Sequence, residues 1–137
     1  QGGLTGPAVK LWGEYRVAVI GLAAASLAAF GYGMVGSLTM VVVLMIVHGP
    51  EGFVHPMLTA ILSQKVPENA QGELQGGMSA ITNLAMLAGT AVFAQIFGFF
   101  MRPEAANPTP DPAFYVAGAG LFVTLLAMIW VTKGNKA

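Results

Sequence analysis

Four apolar stretches, each close to the length that a helix needs to cross a bilayer, constrain the fold of this chain most strongly. They lie roughly at residues 17–37, 38–62, 77–101 and 114–132, with a very short link near Gly36 between the first two and polar or proline-rich connections between the others. A spanning helix needs about 20 mainly apolar residues, and only a helix satisfies its backbone hydrogen bonds within one lipid-facing segment. The pattern therefore predicts an all-α, polytopic transmembrane helix bundle in a lipid bilayer.

The composition agrees with a membrane protein and excludes several other classes. The chain of 137 residues is 55% hydrophobic and 9% charged, with a mean hydropathy of +0.70. Soluble domains usually carry about 25% charged residues, so the hydropathy argues against a soluble enzyme. The formal net charge is +0 and no basic stripe occurs, so no nucleic-acid partner is expected. No arrangement of nucleophile and base and no cofactor motif stands out.

The basic residues predict which ends of the spans face the cytoplasm. With four spans, segments 1–16, 63–76 and 133–137 lie on one side of the membrane, and the loop 102–113 lies on the other. The first side carries five of the six basic residues, namely Lys10, Arg16, Lys65, Lys133 and Lys136. Cytoplasmic loops carry an excess of Lys and Arg, so this side, including the C-terminus, is expected in the cytoplasm.

The second span contains ionisable residues and prolines near its centre. His48, Glu51 and His55 are spaced by three and four residues, which places them along one face of a helix. Pro50 and Pro56 each remove a backbone donor and free a carbonyl one turn earlier. Freed backbone is tolerated at membrane depth only where protein or water satisfies it, so the segment is expected to face a cavity or a tightly packed neighbour.

Glu51 is the residue of this segment that most strongly suggests a function. An ionised carboxylate near the bilayer midplane costs at least ~2.5 kcal/mol, so such residues usually serve transport or proton transfer. The alternative is that Glu51 only bonds to His48 or His55, or caps the broken helix. No HExxH motif, cysteine or second nearby carboxylate accompanies these residues, so no metal site is expected.

Two further patterns predict helix contacts. The first span carries small residues spaced by four, a pattern that allows close approach of another helix or a sliding surface: Gly21, Ala25, Ala29 and Gly33. The third span carries polar residues on one face, suited to interhelical hydrogen bonds or to ligand contact: Ser79, Asn83 and Thr90.

Two motifs carry a resemblance to a known family. "TGPAVKLWGEYR" precedes the first span, and "GFVHPMLTAILSQKVPENAQGELQG" covers the end of the second span and its loop. Together they resemble the C-terminal half of a major facilitator superfamily transporter, in the drug:proton antiporter branch that includes the tetracycline/proton antiporters. The matching residues of the first motif are Gly6, Pro7, Lys10, Gly13, Glu14 and Arg16. Those of the second loop are Gln71, Gly72, Leu74, Gln75 and Gly76.

The resemblance implies a twelve-helix carrier of a bacterial inner membrane that works by alternating access. Residues 1–16 would hold the end of helix eight and a charged cytoplasmic latch loop, and the four spans would be helices nine to twelve. A proton-coupling or substrate cavity would lie near the midplane, and its candidate residues are Glu51, His48, His55 and Asn83. The implied partners are the remaining transporter helices, protons and a small-molecule substrate.

Two positions depart from the tetracycline antiporters. Ala25 stands where those proteins carry an acidic residue in the ninth helix, and Gly89-Thr90 stands where they carry Gly-Pro in the eleventh. The departures argue against tetracycline as the substrate. They also make Glu51, in the neighbouring helix, the candidate for the missing titratable group.

Two functions stay open from the sequence. The first is the C-terminal portion of a proton-coupled efflux transporter, which would not transport alone. The second is a half-carrier remnant that acts as a non-catalytic structural subunit of a larger membrane complex. The start at Gln1 without an initiator Met is expected to be a cut point inside a larger protein.

Overall fold

The structure is a computed structural model that describes residues 2–104 and 107–134, with side chains described for 6–104 and 107–132. Within these residues it is all-helical. The helices are α1 (Gly2–Tyr32), α2 (Leu38–His48), α3 (Val54–Ser63), α4 (Gln71–Phe100) and α5 (Asp111–Gly134). A 3-10 turn at Gly49–Phe53 joins α2 to α3, and another at Glu68–Ala70 precedes α4.

Four helical segments of the described chain are long and apolar enough to cross a membrane. They are Gly6–Tyr32, Leu38–Ser63, Glu68–Phe100 and Asp111–Thr132, and the second includes both α2 and α3. The prediction of an all-α transmembrane bundle is therefore confirmed. The sides of the membrane that the connections face stay predictions.

The helix bounds differ from the prediction in two segments, residues 2–16 and residues 71–76. Residues 2–16, expected to be a helix end and a loop, are helical except at Gly13, where φ is 76° and ψ is 158°. That backbone conformation is essentially restricted to glycine, so Gly13 breaks α1 into two helical parts. Residues 71–76, expected in a loop, form the start of α4, whose first turn carries Glu73. A carboxylate there interacts favourably with the helix dipole.

A five-residue connection joins the end of α1 to the start of α2. The side chain of Ser37 accepts a hydrogen bond from the backbone N–H of Met40 at 3.2 Å and so caps α2. The first helix ends at Tyr32, earlier than the apolar stretch that extends to residue 37. The connection is short enough to place α1 and α2 side by side, and the two helices are in contact.

Helix α1 is the centre of the packing, because it contacts α2, the 3-10 turn, α3 and α5. Val17 and Ala18 of α1 form a buried cluster with Met57 of α3. All four small residues of the predicted stripe are buried, Gly21, Ala25 and Ala29 on α1 and Gly33 just after its end. Ser26 is buried beside them, and its hydroxyl donates a hydrogen bond to the carbonyl of Gly118 in α5 at 3.0 Å.

The glycines at the two ends of this stripe allow the closest approaches. A Cβ atom at Gly21 would lie 2.7 Å from the carbonyl oxygen of Pro50 and 2.7 Å from Cγ2 of Val54. A Cβ atom at Gly33 would lie 2.7 Å from the Tyr115 ring, whose hydroxyl donates to the Gly33 carbonyl at 2.8 Å. The stripe thus brings α1 against the broken helix at one end and against α5 at the other.

Helix α4 packs least closely with the rest of the described chain. Its contacts are with α5, α3 and the turn that precedes it, and none of its residues is buried. The side chains of Ile81, Leu84 and Leu87 are 70%, 67% and 71% exposed. Such a helix is expected to be covered by lipid or by other helices of a membrane bundle.

Candidate functional site

The break in the second span is built by Pro50 and its neighbours. Helix α2 ends at His48, and the N–H of Gly49 still bonds to the carbonyl of Ile46. Pro50 has no N–H to donate, and the chain continues as a 3-10 turn until the N–H of Val54 bonds to the carbonyl of Glu51. The break therefore interrupts the helix without ending the span.

His48 and Glu51 lie within ion-pair distance of each other, the one such contact among the residues whose side chains the structure describes. His48 Nε2 lies 3.3 Å from Glu51 Oε2, and the two residues are three apart in sequence. Their side chains are 36% and 52% exposed, so His48 is partly buried and Glu51 is exposed. The pair can share a proton, because imidazole and carboxylate can each carry it.

Tyr32, the last residue of α1, lies beside His48. Its ring centroid lies 5.9 Å from that of His48 and 5.8 Å from that of Phe114 in α5. Sequence reasoning missed Tyr32, because one tyrosine at the end of an apolar span forms no pattern. The helix register decides its place: Gly31 packs against the side chain of Leu44, one turn before His48.

A shallow cleft of about 320 Å³ lies beside the ion pair. We call it the His48 cleft, and its lining residues are Tyr32, Met45, His48, Gly49, Glu51 and Gly52. It joins an aromatic ring, a thioether, an imidazole and a carboxylate near the middle of the second span. Glycines at two of the six positions bring backbone to its surface.

The other two residues predicted for the cavity lie elsewhere. His55 is exposed on α3 and does not line the His48 cleft, while its carbonyl accepts a hydrogen bond from the Thr59 hydroxyl at 3.0 Å. Asn83 is exposed on α4, which within the described residues does not contact α2 or the 3-10 turn. The structure therefore brings His48 and Glu51 together and leaves His55 and Asn83 apart from them.

Ala25, the position that the sequence matches to the acidic residue in the ninth helix of the tetracycline antiporters, is buried within the packing around α1. Ala25 is 0% exposed, so a methyl group occupies this point of the helix. Within residues 2–104 and 107–134, no three His, Cys, Asp or Glu side chains are grouped closely enough to hold a metal ion.

The residues of the predicted latch loop lie on both sides of the break in α1. Gly6, Pro7 and Lys10 precede Gly13 within the helix and Arg16 follows it, and all four are exposed or lie at the surface. Glu14 accepts a hydrogen bond from Gln64 Nε2 at 2.8 Å, just after the end of α3. Glu14 thus connects this segment to the next polar connection.

Gln71 holds the connection between α3 and α4. Its Nε2 donates to the carbonyl of Ser63 at 2.9 Å and to that of Val66 at 3.2 Å. The first bond satisfies the carbonyl of Ser63, the last residue of α3, and the second satisfies a carbonyl of the connection itself. The rest of the loop motif continues α4: Gly72, Leu74, Gln75 and Gly76.

Comparison with known proteins agrees with this architecture. The family model of the Major Facilitator Superfamily matches residues 2–137. The class C tetracycline resistance protein of Escherichia coli is 32% identical over 129 residues, which cover 92% of this chain and 30% of that protein. The class E protein of Escherichia coli is 28% identical over 94% of this chain and 30% of its own length. No solved structure matches the chain.

The chain spans about 30% of the length of these relatives. A third relative, the class G tetracycline resistance protein of Vibrio anguillarum, is 32% identical over 71% of this chain and 25% of its own length. The resemblance indicated by the two loop motifs is confirmed by these matches. With four apolar helices of spanning length and a family match over nearly every residue, the chain belongs to the Major Facilitator Superfamily of membrane transporters.

Proposed function

We propose that the chain is the C-terminal portion of a proton-coupled secondary transporter that exports a small molecule by alternating access. The observation that supports it best is the His48–Glu51 pair, at 3.3 Å, in the broken middle of the second span. An ionisable residue within a spanning segment is costly and usually marks an ion or substrate pathway. Discontinuous helices near the midplane are where secondary transporters bind substrates and coupling ions.

The pair supplies what proton coupling requires. With one proton shared between Glu51 and His48, the pair is neutral overall. After that proton leaves, the pair carries one negative charge. Since the pair lies within a segment of spanning length, the cost of that charge depends on which side the site opens to. A carrier that alternates between two openings can therefore load the proton on one side and release it on the other.

The polar connections are proposed to act as the latch of the cytoplasmic side. Glu14 bonds to Gln64, and Gln71 bonds to the two carbonyls around the end of α3. These contacts join the break in α1, the end of α3 and the start of α4. Movement of any one of these three segments would therefore be transmitted to the other two.

The test is Glu51→Gln in the full-length carrier, reconstituted in liposomes with an imposed pH gradient. Glutamine keeps the size and polarity of the side chain and removes the carboxyl group that can take up and release a proton. Substrate-linked proton flux should fall at least tenfold, while insertion and yield are retained. Glu73→Gln, in the exposed first turn of α4, is the matched control and should keep full flux. Unchanged coupling in Glu51→Gln would contradict the proposal.

A structural subunit of a larger membrane complex is the second candidate. The observation that favours it is α4, which has no buried residue and presents an apolar surface along its length. Intact mass and N-terminal sequencing of the polypeptide in native membranes separate the two. A polypeptide of the relatives' full length would support the transporter. One of this length that copurifies with larger subunits would support the structural role.

A further inference from the structure

A second cavity, away from the His48–Glu51 pair, lies between α3 and α5. Both helices pack against α1, and within the described residues no Cα atom of α3 comes within 8 Å of one of α5. The space between them is a groove of about 370 Å³, which we call the α3–α5 groove. We propose that it binds one anionic phospholipid, with the phosphate at Lys65 and an acyl chain along the groove. This site does not depend on proton coupling or on the transported substrate.

The walls of the α3–α5 groove are apolar. Helix α3 contributes Leu58 and Ile61, and α5 contributes Ala127 and Val131. Met128 of α5 also lines the groove and packs against the buried cluster that α1 and α3 form. A polar ligand between such walls would lose its hydrogen bonds to water without replacement, whereas a hydrocarbon chain loses none.

Two threonines of α5 line the groove but offer no hydrogen-bond donor to a ligand. The hydroxyl of Thr124 donates to the carbonyl of Gly120 at 2.9 Å, and that of Thr132 donates to the carbonyl of Met128. A hydroxyl has one proton to donate, and both protons are used within the helix. The groove is therefore suited to a lipid tail rather than to a hydrogen-bonding substrate.

One end of the groove lies where two spans end. The second span ends at Ser63, two residues before Lys65, and the fourth extends to Thr132. Lys65 and Thr132 both line the groove, and Lys65 is the only charged residue among its described lining residues. Spans end near the headgroup region of the bilayer, so Lys65 lies at the level of the lipid phosphates. Tyr15, which also lines the groove, belongs to a residue type enriched at that level.

Lys65 is available to an anion. It is exposed, and among the described side chains no carboxylate lies within 4.0 Å of its ammonium group. Glu14 accepts a hydrogen bond from Gln64, the residue before Lys65. Basic pockets between spanning helices on the cytoplasmic side bind anionic lipid headgroups. A single lysine matches a lipid with a single negative charge, such as phosphatidylglycerol.

The length of the groove agrees with an acyl chain. Its lining residues on α5 extend over the eight positions from Thr132 back to Thr124, which is about 12 Å at 1.5 Å per residue. Half of the hydrocarbon core is about 15 Å thick. The groove thus follows a tail from the headgroup level through most of one leaflet. Because the excess of basic residues predicts the cytoplasmic side for this end, the lipid belongs to the inner leaflet.

The test is native mass spectrometry of the full-length carrier, titrated in detergent with phosphatidylglycerol or phosphatidylcholine of identical acyl chains. One phosphatidylglycerol should bind about fivefold more tightly than phosphatidylcholine, whose choline group cancels the charge of the same phosphate. Glycerol-3-phosphate at the same concentrations should not bind, because it has no tail. This comparison distinguishes a lipid site from a site for free phosphate.

Variants test the charge and the groove separately. Lys65→Gln should lower the affinity for phosphatidylglycerol to that for phosphatidylcholine, and Lys65→Arg should retain the preference. The matched control is Arg102→Gln, which removes an exposed basic residue of the loop at the opposite ends of the spans. Ala127→Phe fills the groove and should weaken both lipids several-fold. Ala119→Phe, exposed on the same helix but outside the groove, should not.

Three results would overturn the lipid site. Equal affinity of the wild-type carrier for the two lipids is the first, and it can be measured even if the Lys65 variants do not fold. A preference for phosphatidylglycerol that survives both Lys65→Gln and Ala127→Phe is the second, because it would place the lipid elsewhere. The third is a full-length carrier that binds neither lipid, which would mean that another helix covers the groove. None of these results bears on the proposed transport function.

Discussion

At the scale of single residues, Gly21 decides how close α1 lies to the broken helix. Its missing side chain leaves room for the carbonyl of Pro50 and the side chain of Val54, each 2.7 Å from where a Cβ atom would be. The Pro50 contact is to backbone, which cannot rotate away as a side-chain tip can. Gly21 is therefore a support for the turn that carries Glu51, although it does not line the cleft.

We predict that Gly21→Ala destabilises the full-length carrier by about 1–3 kcal/mol, because the added methyl group overpacks this contact. Thermal unfolding of the detergent-solubilised protein measures the change. The matched control is Gly120→Ala in α5, where a Cβ atom meets nothing within 4 Å. That control should be neutral or slightly stabilising, since alanine favours helix. Equal stability of the two variants would show that the Pro50 contact is not tight.

Ser26 is the residue that hydrogen-bonds α1 to α5. Its buried hydroxyl donates to the Gly118 carbonyl at 3.0 Å. Ser26→Ala should cost about 0.6 kcal/mol, with ~1.7 kcal/mol as the upper end for such bonds in membranes. Thr124→Ala is the control, because its hydroxyl is exposed and bonds to Gly120 of the same helix. Denaturation midpoints that fall equally in both variants would argue against an interhelical role.

At the scale of elements, the connection between α3 and α4 depends on Gln71. Its side-chain amide donates hydrogen bonds to the carbonyls of Ser63 and Val66 and so joins the two ends of the connection. In the sequence this glutamine belongs to a family motif, which indicates resemblance but not what the side chain touches. The structure shows that it orders the segment that also carries Gln64, the partner of Glu14.

We predict that Gln71→Ala loosens residues 64–70 without unfolding the helices. Trypsin cleavage after Lys65 of the folded carrier should become several-fold faster, because two backbone carbonyls lose their partner and the loop opens locally. Gln75→Ala, exposed one turn further along α4, is the control and should leave the cleavage rate unchanged. Equal rates in Gln71→Ala and the wild type would refute the ordering role.

Gly13 divides α1 into two helical parts. Its φ of 76° and ψ of 158° lie in a region that side chains other than glycine rarely enter. Gly13→Ala should therefore destabilise the carrier by about 1–3 kcal/mol or straighten α1. Gly6→Ala, in the helical part before the break with nothing within 4 Å of its Cβ position, is the control. Unfolding midpoints of the two variants measure the difference.

At the scale of the whole molecule, this chain presents unusually little interior for its length. Its buried side chains are mostly on α1, while α2 and α4 have no buried residue. The exposed apolar surface of α4 and the one open side of the His48 cleft both need further helices or lipid. This agrees with a chain that spans about 30% of the length of its relatives.

The same geometry predicts the behaviour of the chain on its own. Reconstituted alone in liposomes, residues 1–137 should insert but show no substrate-linked proton flux, because one set of four spans cannot enclose a two-sided cavity. Co-expression with the remaining helices of the carrier should restore the flux. Coupled flux from this chain alone would contradict the proposal that the site is completed by further helices.

The sequence by itself determined the class of fold, because apolar length and the need to satisfy the backbone in lipid leave only helices. It also indicated the family, through two loop motifs, and it placed His48, Glu51 and His55 on one helical face, which left open whether Glu51 meets His48 or His55. These are local properties, so they can be deduced without knowing how the helices are arranged.

Only the tertiary structure decided which of the suspected residues meet. His55 shares the predicted helical face of His48 and Glu51, and Asn83 lies on the polar face of the third span, yet neither residue lines the cleft. Tyr32 matched no pattern and lies beside His48. The physical reason is that contacts between helices depend on which residues face each other and on the angle at which the helices cross. Here Gly21 and the break at Pro50 decide both. The helical periodicity of a sequence is the same whichever helix packs beside it, so periodicity alone does not show which residues meet.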